Sequence, residues 1–251
     1  MKKIEIKEFG GPEVLEIKNV DIGKPGQNEV LVKNSSIGIN YIDTYHRSGL
    51  YPIPLPSGIG LEACSIIEEV GSEVKLFKVG DRVTRASMPI GTYSEKQIIP
   101  EDKLVKVPDN ISDEVASCIT LKGITAEYLL HRTYKVKKGD KILYHAAAGA
   151  LGQIFCPWAN ALGAEIIGTV GSDEKIEIAK KNGCHHVINY NEKNFVEEVE
   201  KIVGKNGLDV VYDGVGAKTF EGSIEVLKVR GMMVAFGNAS GYVHTLDIKK
   251  H

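Results

Sequence analysis

The chain has no pair of cysteines close enough in sequence to suggest a zinc ribbon or a redox-active thiol pair. Its four cysteines, at 64, 118, 156 and 184, lie far apart, which argues against a disulfide framework or a four-cysteine metal site. No run approaches the roughly 18 apolar residues of a membrane span, and the N-terminus carries no apolar signal segment. We therefore expect a cytoplasmic protein with no membrane contact, in which Cys64 and Cys118 are small core residues.

An excess of charge of one sign is also missing. The 31 lysines and arginines nearly balance 33 acidic residues, for a formal net charge of −2, so no global field attracts nucleic acid. The basic cluster at 135–138 lacks the interleaved aromatic residues of a nucleic-acid surface, and we expect it to be solvated. The seven histidines show no helical ligand spacing, and His145 is expected to be a packing residue.

Two halves with different patterns make up the chain. Residues 1–121 carry short β-branched runs bounded by glycine and proline, such as 29–33 and 65–70, which predict a small, partly open β-barrel. In residues 122–251, strand and helix patterns alternate, and each connection is long enough for a helix, so we expect a doubly wound parallel sheet. The predicted strands are 141–146, 165–170, 186–190, 208–213 and 232–236, and the predicted helices are 150–162, 173–182, 193–203 and 217–228.

A loop of small residues, 147–152, follows the first of these strands and opens the next helix. Gly149 and Gly152 have no side chain that would block a pyrophosphate or the helix–strand packing, and the helix N-terminus adds partial positive charge. Ala147 stands where the first glycine of the usual fingerprint stands. In the context of a parallel sheet, the loop predicts a dinucleotide site at the carboxyl ends of the strands.

The end of the second strand indicates which dinucleotide. An acid at that place normally binds the ribose 2′-hydroxyl of NAD, but here Gly171 and Ser172 follow the strand, with Lys175 close behind. A hydroxyl and an ammonium beside a helix start suit a 2′-phosphate, which favours NADPH over NADH. Two observations oppose this reading: Ser172 and Lys175 are compatible with a simple cap and a solvated lysine, and the Asp173 carboxylate would repel a phosphate.

Eight short motifs, spread over the whole chain, point to one family. They are Phe9–Leu15, Gly38–Tyr45, Arg47–Tyr51, Gly60–Glu62, Val79–Val83, Leu121–Ala126, His145–Gly152 and Phe236–Gly241. Together they resemble the zinc-independent quinone oxidoreductases of the medium-chain dehydrogenase/reductase superfamily, the zeta-crystallin-like group. The resemblance implies an α/β protein with a GroES-like barrel domain and a Rossmann domain, NADPH as cofactor, and hydride transfer to a small-molecule quinone.

The resemblance also implies roles for individual residues, through their positions in these motifs. Asn40 and Tyr45 are the implied catalytic residues, and Tyr45 either hydrogen-bonds the quinone oxygen or forms the wall of the cleft. The implied cofactor-binding residues are Ile42, Thr125 and Tyr128; Gly149, Ala150, Leu151 and Gly152 at the pyrophosphate; Gly171, Ser172 and Lys175 at the 2′-phosphate; Tyr190 at the adenine; and Val215, Phe236, Gly237, Asn238, Ala239 and Ser240 on the nicotinamide side.

Zinc ligands are not expected. Zinc dehydrogenases of the superfamily use a cysteine and a Gly-His-Glu motif, and the corresponding positions look like Asn40 and Leu61. Leucine cannot bind a metal and asparagine binds zinc poorly, so the expected acceptors are quinones or conjugated carbonyls, which take hydride without a Lewis acid. The alternatives are an NADPH-dependent alkenal or enone reductase, or a cofactor-binding or truncated form without activity.

Two departures from the family pattern carry physical consequences. Pro157 falls inside the helix after the small-residue loop, and we expect a cost of about 3 kcal/mol or a kink there. The family continues beyond the fifth Rossmann strand into a sixth strand and a C-terminal return segment, so we expect a truncated domain. The run Met232–Phe236 then becomes an exposed apolar edge, and the homodimer implied by the family loses the strand at its interface.

Overall fold

The computed structural model describes residues 1–244, which form two compact units, Met1–Leu121 and the chain from Lys122 onward. The division falls inside a helix, Asp113–Tyr128. In the part of the chain so described, no helix combines the length and the apolar character that crossing a membrane requires.

The first unit is built from antiparallel strands, as its short β-branched runs predict. These are β1 (Lys2–Ile6), β2 (Glu16–Asn19), β3 (Glu29–Gly38), β4 (Ser57–Gly58), β5 (Glu62–Val70), β6 (Arg82–Ala86), β7 (Lys96–Pro100) and β8 (Val105–Lys106), with helices α1 (Tyr41–Ser48) and α2 (Asp113–Tyr128). One sheet has the order β7-β3-β5-β6-β8 and a smaller one the order β2-β1-β4. This is the GroES-like β-domain expected from the sequence.

Strand β3 contributes to the apolar core of the first unit and leads into helix α1. Val30 and Val32 pack with Ile67 of β5 in a fully buried apolar cluster. At the end of the strand, a Cβ added to Gly38 would lie 1.9 Å from the Ser117 carbonyl oxygen. Glycine is therefore required there, because the strand meets the backbone of α2 too closely for any side chain.

The second unit is a parallel sheet with helices on both faces. Its strands are β9 (Lys141–Tyr144), β10 (Glu165–Val170), β11 (His186–Asn189), β12 (Leu208–Asp213) and β13 (Leu227–Ala235), and its helices are α3 (Gly152–Ala161), α4 (Ile176–Lys181), α5 (Phe195–Val203) and α6 (Phe220–Glu225). The strand order is β11-β10-β9-β12-β13, with every pairing parallel. This confirms the predicted doubly wound, Rossmann-type sheet.

Neighbouring residues of the central strand β9 face opposite sides of this sheet. Ile142 belongs to an apolar cluster with Phe155 of α3, whereas Leu143 packs in a second cluster with Val199 of α5. A strand buried on both faces gains free energy from water exclusion on each side. The helices are thereby held on both faces, and the strand ends remain open for loops.

The bounds of three strands differ from the prediction, and for β11 the difference is one residue, since it ends at Asn189 rather than at 190. Strand β9 stops at Tyr144 because Ala146 adopts a left-handed backbone with φ of 58°, which opens the loop to α3. Strand β13 begins at Leu227 rather than at residue 232, with a register irregularity against β12 and a left-handed Arg230 with φ of 67°. The mixed charged and apolar residues of this irregular stretch carry no strand periodicity that a sequence pattern would show.

Helix α3 runs through Pro157 and ends at Ala161, so the proline does not terminate the helix. Pro157 has no N–H to donate to the Gln153 carbonyl. At the other side of the sheet, β13 pairs only with β12 among residues 1–244. Within the predicted apolar run, Met232 is 40% exposed, whereas Val234 is 5% exposed and Met233 and Phe236 are half-buried, so the run is exposed only in part.

The two cysteines expected in the core have different environments. Cys64 is buried in the first unit, as expected. The expectation was wrong for Cys118, which is exposed. On α2 the buried face is formed by Ala116 and Ser117, and the helical rotation turns the next position outward.

Candidate active site

The loop between β9 and α3 turns so tightly that its backbone groups lie close together. The N–H of Ala147 donates to the Thr169 carbonyl of β10 over 2.9 Å. A Cβ added at Gly152 would lie 2.3 Å from the Ala147 carbonyl oxygen, and one at Gly149 would lie 3.0 Å from that of Ala146. The loop geometry therefore requires glycine at 152 and favours it at 149.

Two backbone donors of this loop remain open at the start of helix α3. Within the described chain, the N–H groups of Ala150 and Leu151 have no protein acceptor, and the helix begins at the next residue, Gly152. Unpaired N–H groups and the positive end of a helix dipole together favour an anion. Ala150 is exposed and Leu151 is half-buried, so this part of the loop is accessible from the solvent side.

The end of β10 brings four predicted residues together. Asn191 donates from Nδ2 to the Gly171 carbonyl over 2.7 Å, and the Tyr190 hydroxyl oxygen lies 3.0 Å from where a Gly171 Cβ would stand. The N–H of Lys175 donates to the Ser172 carbonyl over 3.2 Å. In residues 1–244, neither the Ser172 hydroxyl nor the Lys175 ammonium has a polar partner, so both are available to an anion.

The loop after β12 is held by an acid that the sequence reasoning missed. Asp213 accepts from the N–H groups of Val215 and Gly216 at Oδ1, over 2.8 and 2.9 Å. Ser240 then donates to the Val215 carbonyl with its N–H over 2.7 Å and its hydroxyl over 2.8 Å. Val215 is thus fixed from both sides.

Residues 236–240 lie along this loop. The N–H of Phe236 donates to the Asp213 carbonyl over 2.9 Å, and that of Ala239 to the Gly214 carbonyl over 3.3 Å. A Cβ at Gly237 would lie 2.7 Å from the Gly214 carbonyl oxygen. The structure therefore brings together the predicted nicotinamide-side residues, which are Val215, Phe236, Gly237, Asn238, Ala239 and Ser240.

Asn40 occupies the centre of a buried polar cluster in the first unit. Its side-chain Nδ2 donates to Glu62 over 2.8 Å, and its backbone N–H donates to Asp43 over 2.9 Å. Glu62 also accepts from the Leu121 N–H over 2.7 Å, and Asp43 from the Tyr93 hydroxyl over 2.9 Å. Burial raises the pKa of Asp43, against the opposing effect of these donors.

Tyr45 is 8% exposed and packs between two other aromatic rings. Its ring centroid lies 5.4 Å from that of Tyr41, edge-on, and 5.0 Å from that of Tyr51. Tyr41 is the exposed member of the group, at 62%, and Ile42 is half-buried. The role of Tyr45 at the quinone, as a hydrogen-bond donor or as the wall of the cleft, stays a prediction.

At the positions where zinc dehydrogenases carry metal ligands, this chain has Asn40 and Leu61. Leu61 is buried at 7% exposure, and the Asn40 amide is engaged by Glu62. Among the residues that the structure describes, no group of three or more histidines, cysteines or acids could hold a metal ion. The donor set at this place therefore does not fit zinc.

Thr125 and Tyr128 lie on the last turns of α2, in the second unit. Thr125 is half-buried, and Tyr128 is 37% exposed. Burial raises the pKa of the Tyr128 hydroxyl, so that the group remains a neutral donor at ordinary pH.

Some polar residues of the site escaped the sequence reasoning. An acid at the end of a central strand followed by Gly-Val-Gly was a usable signal for Asp213, because such acids commonly hold the following turn. His145 was expected to be a packing residue, and its 1% exposure agrees with this. However, both of its ring nitrogens are hydrogen-bonded, which the sequence alone did not indicate.

Two family models match the chain. Residues 26–109 match the alcohol dehydrogenase GroES-like domain, and residues 150–250 match a model described as zinc-binding dehydrogenase. The positions discussed above as places of zinc ligands, Asn40 and Leu61, lie in the range that the first model matches.

Curated relatives and solved structures match over nearly the whole chain. A quinone oxidoreductase of Pseudomonas aeruginosa is 49% identical over 98% of this chain and 76% of its own length. A 2-haloacrylate reductase of a Burkholderia species is 48% identical over 97% of this chain and 75% of its own length. The Escherichia coli quinone oxidoreductase crystallised with NADPH superposes with a TM-score of 0.96 at 48% identity, covering 100% of this chain and 77% of that one. The chain belongs to the quinone oxidoreductase family of the medium-chain dehydrogenases/reductases.

Proposed function

We propose that the protein is an NADPH:quinone oxidoreductase that transfers hydride to a quinone without zinc. The observation that carries the proposal is the open hydroxyl and ammonium of Ser172 and Lys175 after β10, in a chain closely similar to a quinone oxidoreductase crystallised with NADPH. A 2′-phosphate distinguishes NADPH from NADH, and this pair offers it a donor and a cation.

Within the second unit, the chain offers partners for the pyrophosphate, the 2′-phosphate and the adenine of the cofactor. The pyrophosphate would meet the N–H groups of Ala150 and Leu151, with Gly149 and Gly152 keeping the loop narrow. The 2′-phosphate would lie at Gly171, Ser172 and Lys175, and the adenine near Tyr190. The nicotinamide side is assigned to Val215 and residues 236–240, with Asn40, Ile42, Tyr45, Thr125 and Tyr128 as further contacts.

NADPH supplies a hydride, so that a quinone, NADPH and one proton give a hydroquinone and NADP⁺. The chain's own contribution is chiefly positioning, because a quinone is already a good hydride acceptor. The packed ring of Tyr45 provides a flat apolar wall. The Asn40 amide is held by Glu62, which orients its remaining polar atoms and costs no reorganisation during the reaction.

Steady-state turnover of 1,4-benzoquinone with NADPH tests this proposal. We expect NADPH oxidation that requires the folded chain and saturates in both substrates. Oxidation at the background rate, in a sample whose melting midpoint rises with NADPH, would instead indicate a cofactor-binding protein without quinone reductase activity.

A second candidate function is the reduction of activated carbon–carbon double bonds. The 48% identity to a 2-haloacrylate reductase favours it, and hydride addition to a conjugated acid or ketone requires the same cofactor geometry. Turnover of 1,4-benzoquinone and of 2-chloroacrylate in parallel separates the two functions. A higher kcat/KM for the acrylate would assign the protein to the second.

The assembly and compartment belong to the same proposal. We infer a cytoplasmic location, as expected from the sequence, and a homodimer, as the family resemblance implies, although the sixth strand that the resemblance places at the interface is not among residues 1–244. Sedimentation equilibrium measures the mass directly. A single species at the 27.4 kDa of the chain across the concentration range would refute the dimer.

A further inference from the structure

A buried chain of hydrogen bonds joins the ends of the three central strands of the second unit. His145, directly after β9, bonds through Nδ1 to the Thr169 hydroxyl of β10 over 2.9 Å. Its Nε2 bonds to the Ser223 hydroxyl of α6 over 2.9 Å. Ser223 lies 3.1 Å from Oδ2 of Asp213, which also accepts from the Thr219 hydroxyl over 2.8 Å. All five side chains are at most 4% exposed.

The proton positions along this chain follow from Asp213. The Ser223 hydroxyl has one proton and faces two acceptors, Oδ2 of Asp213 over 3.1 Å and the Thr219 carbonyl over 2.8 Å. A carboxylate and a carbonyl only accept, so that Ser223 donates to this pair and must accept from His145. Nε2 of His145 therefore carries the proton, and Nδ1 accepts from the Thr169 hydroxyl. Burial lowers the pKa of His145 to about 4, consistent with a neutral ring. The Phe195 ring lies edge-on against the imidazole at 5.1 Å and closes the site to water.

The three strands that these hydrogen bonds join are β9, β10 and β12. Each is followed by a loop that forms a different part of the proposed cofactor site. His145 precedes the left-handed Ala146 that opens the pyrophosphate loop. Thr169 lies two residues before Gly171 at the 2′-phosphate site. Asp213 holds the Val215 N–H on the nicotinamide side. One imidazole therefore connects the bases of all three loops.

We propose that His145 is a positioning residue that sets the distance and register between the adenosine half and the nicotinamide half of the cofactor site. The inference rests on the proposed function. In this role His145 touches neither substrate nor cofactor, and it acts through Thr169, Ser223 and Asp213. Loss of the connection would leave each loop formed but free to shift relative to the others, so that a ligand spanning all three is weakened most.

Calorimetric titration with two probes tests the proposal. NADPH spans all three loops, whereas adenosine 2′,5′-bisphosphate occupies only the adenosine half. The variants are His145→Phe, which keeps an aromatic ring and removes both hydrogen bonds, and Ser223→Ala, which cuts the link to Asp213 with a smaller change. Tyr212→Phe is the matched control, because it removes another buried hydrogen bond of this unit, 3.0 Å to the Leu129 carbonyl.

We expect both test variants to lower the affinity for NADPH about tenfold and the affinity for the bisphosphate less than threefold. His145→Gln should recover part of the lost NADPH affinity. The control should lower the melting midpoint and leave both affinities within twofold. Equal losses for the two probes, or unchanged NADPH affinity in folded variants, would overturn the proposal. Should His145→Phe fail to fold, Ser223→Ala decides. Absence of NADPH binding by the unmodified chain would refute the proposed function instead.

Discussion

The side chain of Asn189 donates a 2.8 Å hydrogen bond to the carboxylate of Asp173, beside the proposed 2′-phosphate site. This acid was the main objection to NADPH, because a free carboxylate next to Ser172 and Lys175 would repel a phosphate. Asn189 is only 8% exposed, and its side-chain oxygen Oδ1 accepts from the Asn191 N–H over 3.1 Å. The acid is therefore held by a partner that is itself fixed.

The first prediction concerns this contact. Asn189→Ala frees Asp173 to turn toward Lys175 and should weaken NADPH several-fold, on the order of 1 kcal/mol, with NADH changed little. Titration with each cofactor measures the ratio of the affinities for NADPH and NADH. The double variant Asn189→Ala/Asp173→Asn removes the charge as well and should restore the preference; if it does not, the carboxylate is not the cause.

Lys175 carries the second prediction. Lys175→Ala should weaken NADPH about tenfold, the effect of losing roughly 1.4 kcal/mol of a charge-assisted contact, and leave NADH nearly unchanged. Lys181→Ala is the control, because this lysine lies in the last turn of the neighbouring helix α4. An equal loss of NADPH and NADH affinity in Lys175→Ala would refute the phosphate assignment.

The fold was predictable where periodicity and turns are local. Strands 165–170 and 208–213 were predicted at the bounds observed, because each is a buried apolar run between turn signals. The tight loop at 147–152 was predictable because its glycines are required by contacts with residues only a few positions away. The start of β13 was not, since Arg230 and its irregular pairing depend on β12.

The polar contacts of the site were less predictable. The partner of His145 on α6 is Ser223, 78 residues along the chain, and no spacing rule connects the two. The bond from Asn189 to Asp173 likewise depends on the pairing of β10 with β11. Such contacts follow from the packed fold and not from any local motif.

Pro157 gives the third prediction. Pro157→Ala restores an N–H for the Gln153 carbonyl in the interior of α3, and should stabilise the second unit by about 1–3 kcal/mol. The only tryptophan, Trp158, is adjacent, so its fluorescence reports unfolding of this unit in urea. Pro25→Ala, in a loop of the first unit, should not shift the transition seen by Trp158. An unchanged midpoint for Pro157→Ala would mean that the helix has already relaxed around the proline.

The fourth prediction is a pH dependence of stability. Burial holds the pKa of His145 near 4, below its ordinary 6.5, against the opposing charge of Asp213. The unfolded chain therefore binds a proton between pH 6.5 and 4 that the folded chain does not, and stability falls as the pH drops through this window by roughly 3 kcal/mol. Above pH 6.5 neither state binds this proton, so His145 no longer contributes to the pH dependence of stability.

His145→Gln should remove this part of the pH dependence. Urea unfolding of both proteins at several values between pH 4 and pH 8 isolates it, because the carboxylates contribute equally to the two curves. Parallel curves across the whole range would show that His145 titrates at an ordinary pKa and is not held neutral in the network.

The most direct measurement is the rate of 1,4-benzoquinone reduction by the chain with NADPH and, separately, with NADH at equal concentration. The proposed function predicts enzyme-dependent turnover with a kcat/KM at least tenfold higher for NADPH, a preference that largely disappears in Lys175→Ala. Equal rates with the two cofactors, or no rate above the uncatalysed reaction with either, would contradict it.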